Sequence, residues 1–190
     1  MDRYYIEIFL NKHASDIKGR VLEIGDNKYT KLFGGNRVVC SDVLNYTSGN
    51  PISTIVGDLT KADHIESNIF DCIILTQTLQ MIYDYRLALK HLYRILKPGG
   101  ILLSTSHGTS KLDRILGVDA WGEYWRFTGQ SSKLLFEEFF KPGNVQTTSY
   151  GNVLSAISYL HGLASQDLTH DELDFNDPKF EVLVGVRAIK

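Results

Sequence analysis

Four segments place polar residues directly after β-rich runs: Glu23-Ile24-Gly25-Asp26, Ser41-Asp42-Val43, Gly57-Asp58-Leu59 and Thr76-Gln77. In an open parallel sheet, ligands bind beyond the carboxyl ends of the strands, where the strand order reverses. Four such ends on one edge predict a single cleft. Gly25 lets the backbone approach a ligand closely, and Asn27 takes the left-handed conformation better than most residues. The N–H groups of the short helix that follows can hold a carboxylate. Asp42, at the predicted tip of strand two, can accept both hydroxyls of a ribose. Asp58 offers an acceptor to an amino group and Leu59 an apolar wall to a purine. Taken singly, these are a turn glycine, a solvated strand-end acid and a helix cap. In this order and spacing they point to a nucleoside-type pocket.

A second group of residues could act on a substrate. His107 follows strand five and is the candidate general base; His161 lies on a late helix, and Asp119 and Glu123 lie in a loop. His13, His64, His91 and His170 read as structural or solvated. Trp121-Gly122-Glu123-Tyr124-Trp125-Arg126-Phe127 could wall an acceptor site, with aromatic faces for a sugar or planar ring and Arg126 for an anionic group. The same aromatics could instead pin a lid to the sheet. Gln77, Gln80 and Asn152 could give directional hydrogen bonds, as turn residues and caps also do.

The elements that must position these groups alternate in type. Residues 2–17 carry Ile6, Phe9, Leu10, His13, Ala14 and Ile17 at helical spacing. Strands are predicted at 20–24, 37–42, 52–56, 71–76, 101–105, 145–150 and 180–189. Strand four is nearly all apolar, as a strand covered on both faces should be. A helix at 84–97 buries Tyr85, Ala88, Leu89, Leu92, Ile95 and Leu96, is capped by Asp84 and stops at Lys97-Pro98-Gly99-Gly100. Further helices are predicted at 131–140 and 152–165, the latter burying Val153, Ala156, Ile157, Leu160 and Ala164. The pattern predicts an α/β, Rossmann-like, mostly parallel sheet of seven strands with helices on both faces. Residues 1–190 read as one domain, with an N-terminal helix over 1–18 and acceptor-side lid segments at 107–130 and 152–170.

Composition narrows the partners. The chain is 43% apolar, enough for a full core, and its formal net charge of -2 supplies no basic surplus for nucleic acid. No apolar run reaches membrane-spanning length, and the N-terminus lacks a signal-peptide pattern. Cys40 and Cys72 read as small core residues in strands, and they match no zinc spacing. A reducing cytoplasm is expected, with no metal.

At Val21-Leu22-Glu23-Ile24-Gly25, Asp42, Gly57-Asp58-Leu59, Phe70-Asp71-Cys72-Ile73-Ile74 and Arg94-Ile95-Leu96-Lys97-Pro98-Gly99-Gly100, the sequence resembles the class I S-adenosylmethionine-dependent methyltransferases. That family's sheet has seven strands, one of them antiparallel. More narrowly, Asp2-Arg3-Tyr4-Tyr5-Ile6-Glu7, Gly25-Asp26-Asn27-Lys28-Tyr29-Thr30, Leu75-Thr76-Gln77-Thr78-Leu79-Gln80 and Tyr124-Trp125-Arg126-Phe127 are similar to a bacterial group often associated with glycosyltransferases. The resemblance implies that Glu23, Gly25 and Asp26 contact the methionine part of the cofactor. It puts Asp42 on the ribose, Val43, Asp58 and Leu59 beside the adenine, and Thr76 and Gln77 near the methionine end. Tyr4 or Tyr5 would fold over the pocket. The first loop departs from the family's E-x-G-x-G-x-G pattern, since Asn27 and Tyr29 stand at the later glycine positions.

The expected reaction is methyl transfer from S-adenosylmethionine to a small hydroxylated acceptor such as a sugar or glycan intermediate. Two other classes compete. A nicotinamide-dependent oxidoreductase would need G-x-G-x-x-G, yet Gly25 stands alone until Gly34. A non-catalytic binding or regulatory module could keep the fold without the reaction.

Overall fold

A computed structural model describes residues 1–112, 114–115 and 121–190, without the side chains of 114, 115 and 121. Seven strands form the main sheet: β1 (Gly19–Ile24), β2 (Val38–Asn45), β3 (Ile55–Val56), β4 (Phe70–Thr76), β5 (Leu96–His107), β6 (Val145–Tyr150) and β7 (Leu183–Ile189). Their order is β3-β2-β1-β4-β5-β7-β6. All neighbours are parallel except β7, which runs antiparallel to both β5 and β6. The expected sheet, with its one antiparallel strand, is therefore observed.

Strand pleating sends alternate side chains to opposite faces. Leu22, Ile73 and Leu102 enter one core, covered by α2 (Tyr85–Ile95) and α3 (Gly129–Glu137). Val21, Ile74 and Leu103 enter the other, covered by α1 (Asp2–Lys12) through Tyr5, Ile6, Phe9 and Leu10. Asp84 caps α2 by accepting from the Leu87 N–H. Lys97-Pro98-Gly99-Gly100 ends α2 but lies inside β5, as a bulge. The partner of β4 advances from Leu96, opposite Phe70, to Ile101, opposite Cys72. A Cβ at Gly100 would come within 2.9 Å of the Lys97 carbonyl oxygen, so the bulge needs glycine there.

Several boundaries differ from expectation. The first helix stops at Lys12, and a 3-10 turn over Ala14–Asp16 follows, its Asp16 held by Arg187. β2 continues to Asn45, whereas β3 shrinks to two residues. The aromatic segment contributes a short ribbon of Arg114–Ile115 against Trp121–Gly122. α4 (Val153–Leu160) buries Ser155, Ala156 and Ser158 and exposes Val153, Ile157 and Leu160, so within the helix only Ala156 of the expected stripe is buried. Its cap explains this. Asn152 bonds across to the carbonyls of Glu172 and Phe175 beside α5 (His170–Asp174), which sets the rotation of α4. Cys72 is buried as expected; Cys40 is exposed, because the first half of β2 lies outside the core.

Phe9 ties α1 to the sheet by packing flat on Gly185 of β7, where a Cβ would approach its ring to 2.5 Å. Gly185→Ala should cost about 1–3 kcal/mol through overpacking, read as a lower urea midpoint with unchanged slope.

Candidate functional site

β1 pairs with β2 on one side and β4 on the other, so the strand order reverses there and the crevice opens at the carboxyl rim. The first turn leaves β1 through Gly25, at φ +87°, where an added Cβ would meet nothing within 4 Å. Its N–H donates to the Leu44 carbonyl, and its own carbonyl accepts from Asn45 and Asn50 side chains. Asp26 beside it is exposed and accepts from the Lys28 N–H.

Glu23 does not reach this opening. It is 1% exposed and accepts from the Thr30 N–H and hydroxyl, both at 2.7 Å, and from the Tyr29 N–H at 3.1 Å. Burial pushes its carboxyl up to about 7, against the opposing pull of these bonds. Tyr29 stacks on Phe33 and packs against the α1-side core. The loop that lacks its later glycines is thus folded around a buried acid.

The adenosine side differs more. Asp42 sits three residues before the end of β2 rather than at its tip. One oxygen accepts from Arg20 Nε at 2.7 Å and the other from the Thr54 hydroxyl at 2.8 Å. Burial opposes its ionisation, but these two partners hold the carboxyl below its ordinary range. Val43 is fully buried, and Leu59 is a core residue rather than an open wall. Asp58 is the cap of the following 3-10 helix, accepting from Thr60. Asn45 stands at the tip that Asp42 was expected to occupy. Only the true length of β2 reveals it.

At the ends of β4 and β5 lies a cavity of about 100 Å3, lined by Asp2, Gln77, Met81, His107, Lys111, Glu123 and Tyr159. Gln77 follows Thr76 in the left-handed region, at φ +48°. Its Oε1 accepts from Gln80, while its Nε2 is buried with no hydrogen-bond partner among the described residues. His107 is 7% exposed. Its Nδ1 lies 2.6 Å from the Ser110 hydroxyl, which donates its own proton to the Lys111 carbonyl. Ser110 must therefore accept from Nδ1–H. His107 Nε2, the other ring nitrogen, lies 3.8 Å from Asp2. Glu123 lies 3.9 Å from Nδ1 with its side chain fully buried, and Arg126 pairs with it at 2.8 Å. Sequence reasoning named His107, Gln77 and Glu123. It missed Asp2, Met81, Lys111 and Tyr159, which reach the cavity from four other segments.

Most of the expected acceptor wall is structural. Trp125 donates from its indole to the carbonyls of Ile82 and Tyr83 and meets Tyr85 edge-on, so it pins the segment down. Gln80 is buried, and its carbonyl accepts from the Tyr124 and Trp125 N–H groups. Arg126 turns inward to Glu123 and the Lys111 carbonyl. Tyr124 is exposed against Tyr83. Asn152 is the buried cap of α4. Tyr5 donates to the Leu173 carbonyl and Tyr4 to Asp174, so both tie α1 to α5 rather than cover the first turn. His161 is exposed at the end of α4. Asp119 and the Trp121 side chain lie outside the described residues.

The strand order and the crevice define the fold of the class I S-adenosylmethionine-dependent methyltransferases. Residues 22–104 match the family model described as a methyltransferase domain. The ubiquinone/menaquinone biosynthesis C-methyltransferase UbiE of Haemophilus ducreyi is 35% identical over 92 residues, a match covering 47% of this chain and 29% of that relative. An S-adenosylmethionine-dependent methyltransferase from Archaeoglobus fulgidus superimposes with a TM-score of 0.64 at 12% identity, over 99% of this chain and 94% of that one. The [4+2]-cyclase SpnF shares the fold at a TM-score of 0.63 and 14% identity, over 98% and 80% of the two chains. Among the described residues no helix is long and apolar enough to cross a membrane.

Two substitutions test the reassigned acids. Burial raises Glu23 above its ordinary 4.5, so the folded state keeps a proton that the unfolded chain releases. Its contribution is complete below pH 4.5 and is lost as pH rises through about 7. Glu23→Gln should abolish this decline, seen in thermal unfolding across that range. Asp42→Ala should cost about 1–3 kcal/mol of stability by stranding Arg20 and Thr54, with ligand affinity at the rim unchanged by calorimetry.

Proposed function

We propose that the protein is an S-adenosylmethionine-dependent methyltransferase acting on a small hydroxylated, carbohydrate-like acceptor. The carrying observation is the cavity at the ends of β4 and β5, which His107, Gln77 and Glu123 line together. The methyltransferase-domain match and the fold support the class. The matched segment stops before His107, so it carries no information on the acceptor.

The residues fit the methionine end of the cofactor. Gly25 offers open space on its left-handed side, and the buried Gln77 Nε2 needs an acceptor such as a carboxylate. Asn45, at the tip of β2, replaces Asp42 as the partner of a ribose hydroxyl. When bound, the cofactor supplies an electrophilic methyl group on a sulfonium. His107 would take the proton of the acceptor hydroxyl as that oxygen becomes the nucleophile. Ser110 fixes the tautomer, and the buried Glu123 stabilises the imidazolium that forms. Within one unit over 1–190, the described residues of 107–130 and 152–170 serve as the acceptor-side lid, and the protein works in the cytoplasm.

The cavity, at about 100 Å3, is below the usual size of a complete small-molecule site. It therefore admits the reacting end of the acceptor and leaves the remainder at its mouth.

Calorimetry with S-adenosylhomocysteine and with NAD tests the class. Tight NAD binding without S-adenosylhomocysteine binding would reverse it. His107→Ala should lower turnover by about 10²–10⁴-fold, the usual worth of a general base, with cofactor affinity intact. Full activity in that variant excludes His107 as the base.

A further inference from the structure

α4 turns an apolar stripe to the outside of the molecule. Val153, Leu154, Ile157 and Leu160 of the helix, and Leu163 just beyond it, are each 41–55% exposed. At about 100° per residue the four helical positions span about 120° of the helix surface, the width expected of a stripe that faces a core. Gly162 closes the helix at φ +81°, and the Leu163 N–H bonds back to the Ser158 carbonyl, which returns Leu163 to the helix end. At the other end Phe175 and Phe180 are also exposed, and their carbonyls lie against Asn152 and Gly151.

From Gly151 to Gln166 the chain carries no Asp, Glu, Lys or Arg. A helix that faces solvent normally sets charged residues opposite its buried side. These seven side chains leave on the order of 600 Å2 of apolar surface open, taking about 150–250 Å2 for a complete large side chain. That is the upper end of the largest patch on a typical monomer, about 300–600 Å2. A stable homodimer buries about 800 Å2 per partner, roughly 65% of it apolar, and so requires about 520 Å2 of such surface.

The spacing selects the occupant. Large apolar residues stand four and three positions before Ile157, at Val153 and Leu154, and three positions after it, at Leu160. Turned about a two-fold axis through Ile157, the stripe meets the apolar side chains of a copy of itself. A membrane surface is a poorer match. Interfacial helices carry Lys and Arg on their polar face, whereas α4 has neither and the adjoining α5 exposes Asp171, Glu172 and Asp174. We propose that the protein is a two-fold dimer in which α4 packs antiparallel on α4 of a second copy, Ile157 against Ile157. Tyr159, on the opposite face of α4, lines the cavity at His107, so the dimer contact braces that wall. The dimer does not depend on the methyl-transfer assignment.

Sedimentation velocity on the full chain across a concentration series tests this, with a species of twice the chain mass expected. Ile157→Asp and Ile157→Lys should each weaken association at least tenfold by setting like charges together across the axis, while thermal unfolding stays cooperative. An equimolar mixture of the two should restore the dimer, because in a two-fold contact position 157 meets itself. In a Cys40→Ser background, the milder Ile157→Cys should form a covalent dimer on gentle oxidation. A monomer at every concentration, an undiminished dimer in Ile157→Asp, a mixture that stays monomeric, absence of the cross-link, or a monomer that instead sediments with phosphatidylcholine vesicles would each overturn the proposal.

Discussion

The Glu23 carboxylate, buried beneath the first turn, holds the rim together. It takes two N–H groups and one hydroxyl from Tyr29 and Thr30, closing the loop that leaves β1. Glycine-rich loops of this type usually rely on several residues without side chains. The turn from Gly25 to Thr30 has one left-handed glycine, Gly25, and obtains the remaining order from an internal acceptor. Asn45 and Asn50 complete the turn by donating to the Gly25 carbonyl from the far side. A buried acid in this role is expensive to ionise, and its hydrogen bonds must offset the lost hydration.

A second polar network follows from the length of β5. That strand runs on to His107, which brings the imidazole to the same rim as Gln77. Three chain segments converge on it. Ser110 orients one nitrogen, Glu123 sits close behind it with Arg126 as its ion-pair partner, and Asp2 approaches the other nitrogen from α1. Anchoring depends on aromatic packing elsewhere: Trp125 locks the segment bearing Glu123 and Arg126 against Tyr85 and the carbonyls of Ile82 and Tyr83. The tryptophan therefore positions Glu123 and Arg126 beside His107.

A fold also used by a cyclase does not name a reaction, so chemistry must be argued from the rim. There the two ends of the expected pocket diverge. The Gly25 and Gln77 side retains open space and an unpartnered donor. On the β2 side, Asn45 stands at the strand end, while Asp42 pairs with Arg20 and accepts from Thr54.

By itself the sequence determined the alternating elements, the apolar central strand, the Asp84 cap, the seven-stranded sheet and the rim positions of Gly25, Gln77 and His107. Each of these follows from local information: hydrophobic period, turn chemistry and the residue that ends a strand. Only the tertiary structure decided the rest. A strand's length depends on its partners, so pairing with β1 as far as Leu44 and with β3 at Asn45 extended β2 and moved Asp42 inward. The rotation of α4 depends on Asn152 meeting carbonyls 20 and 23 residues away, so its apolar stripe faced outward. Asp2 could not be placed beside His107 from sequence, because α1 finds its seat only when Phe9 packs on Gly185 of β7. Contacts between segments distant in the chain leave no periodic mark within either one.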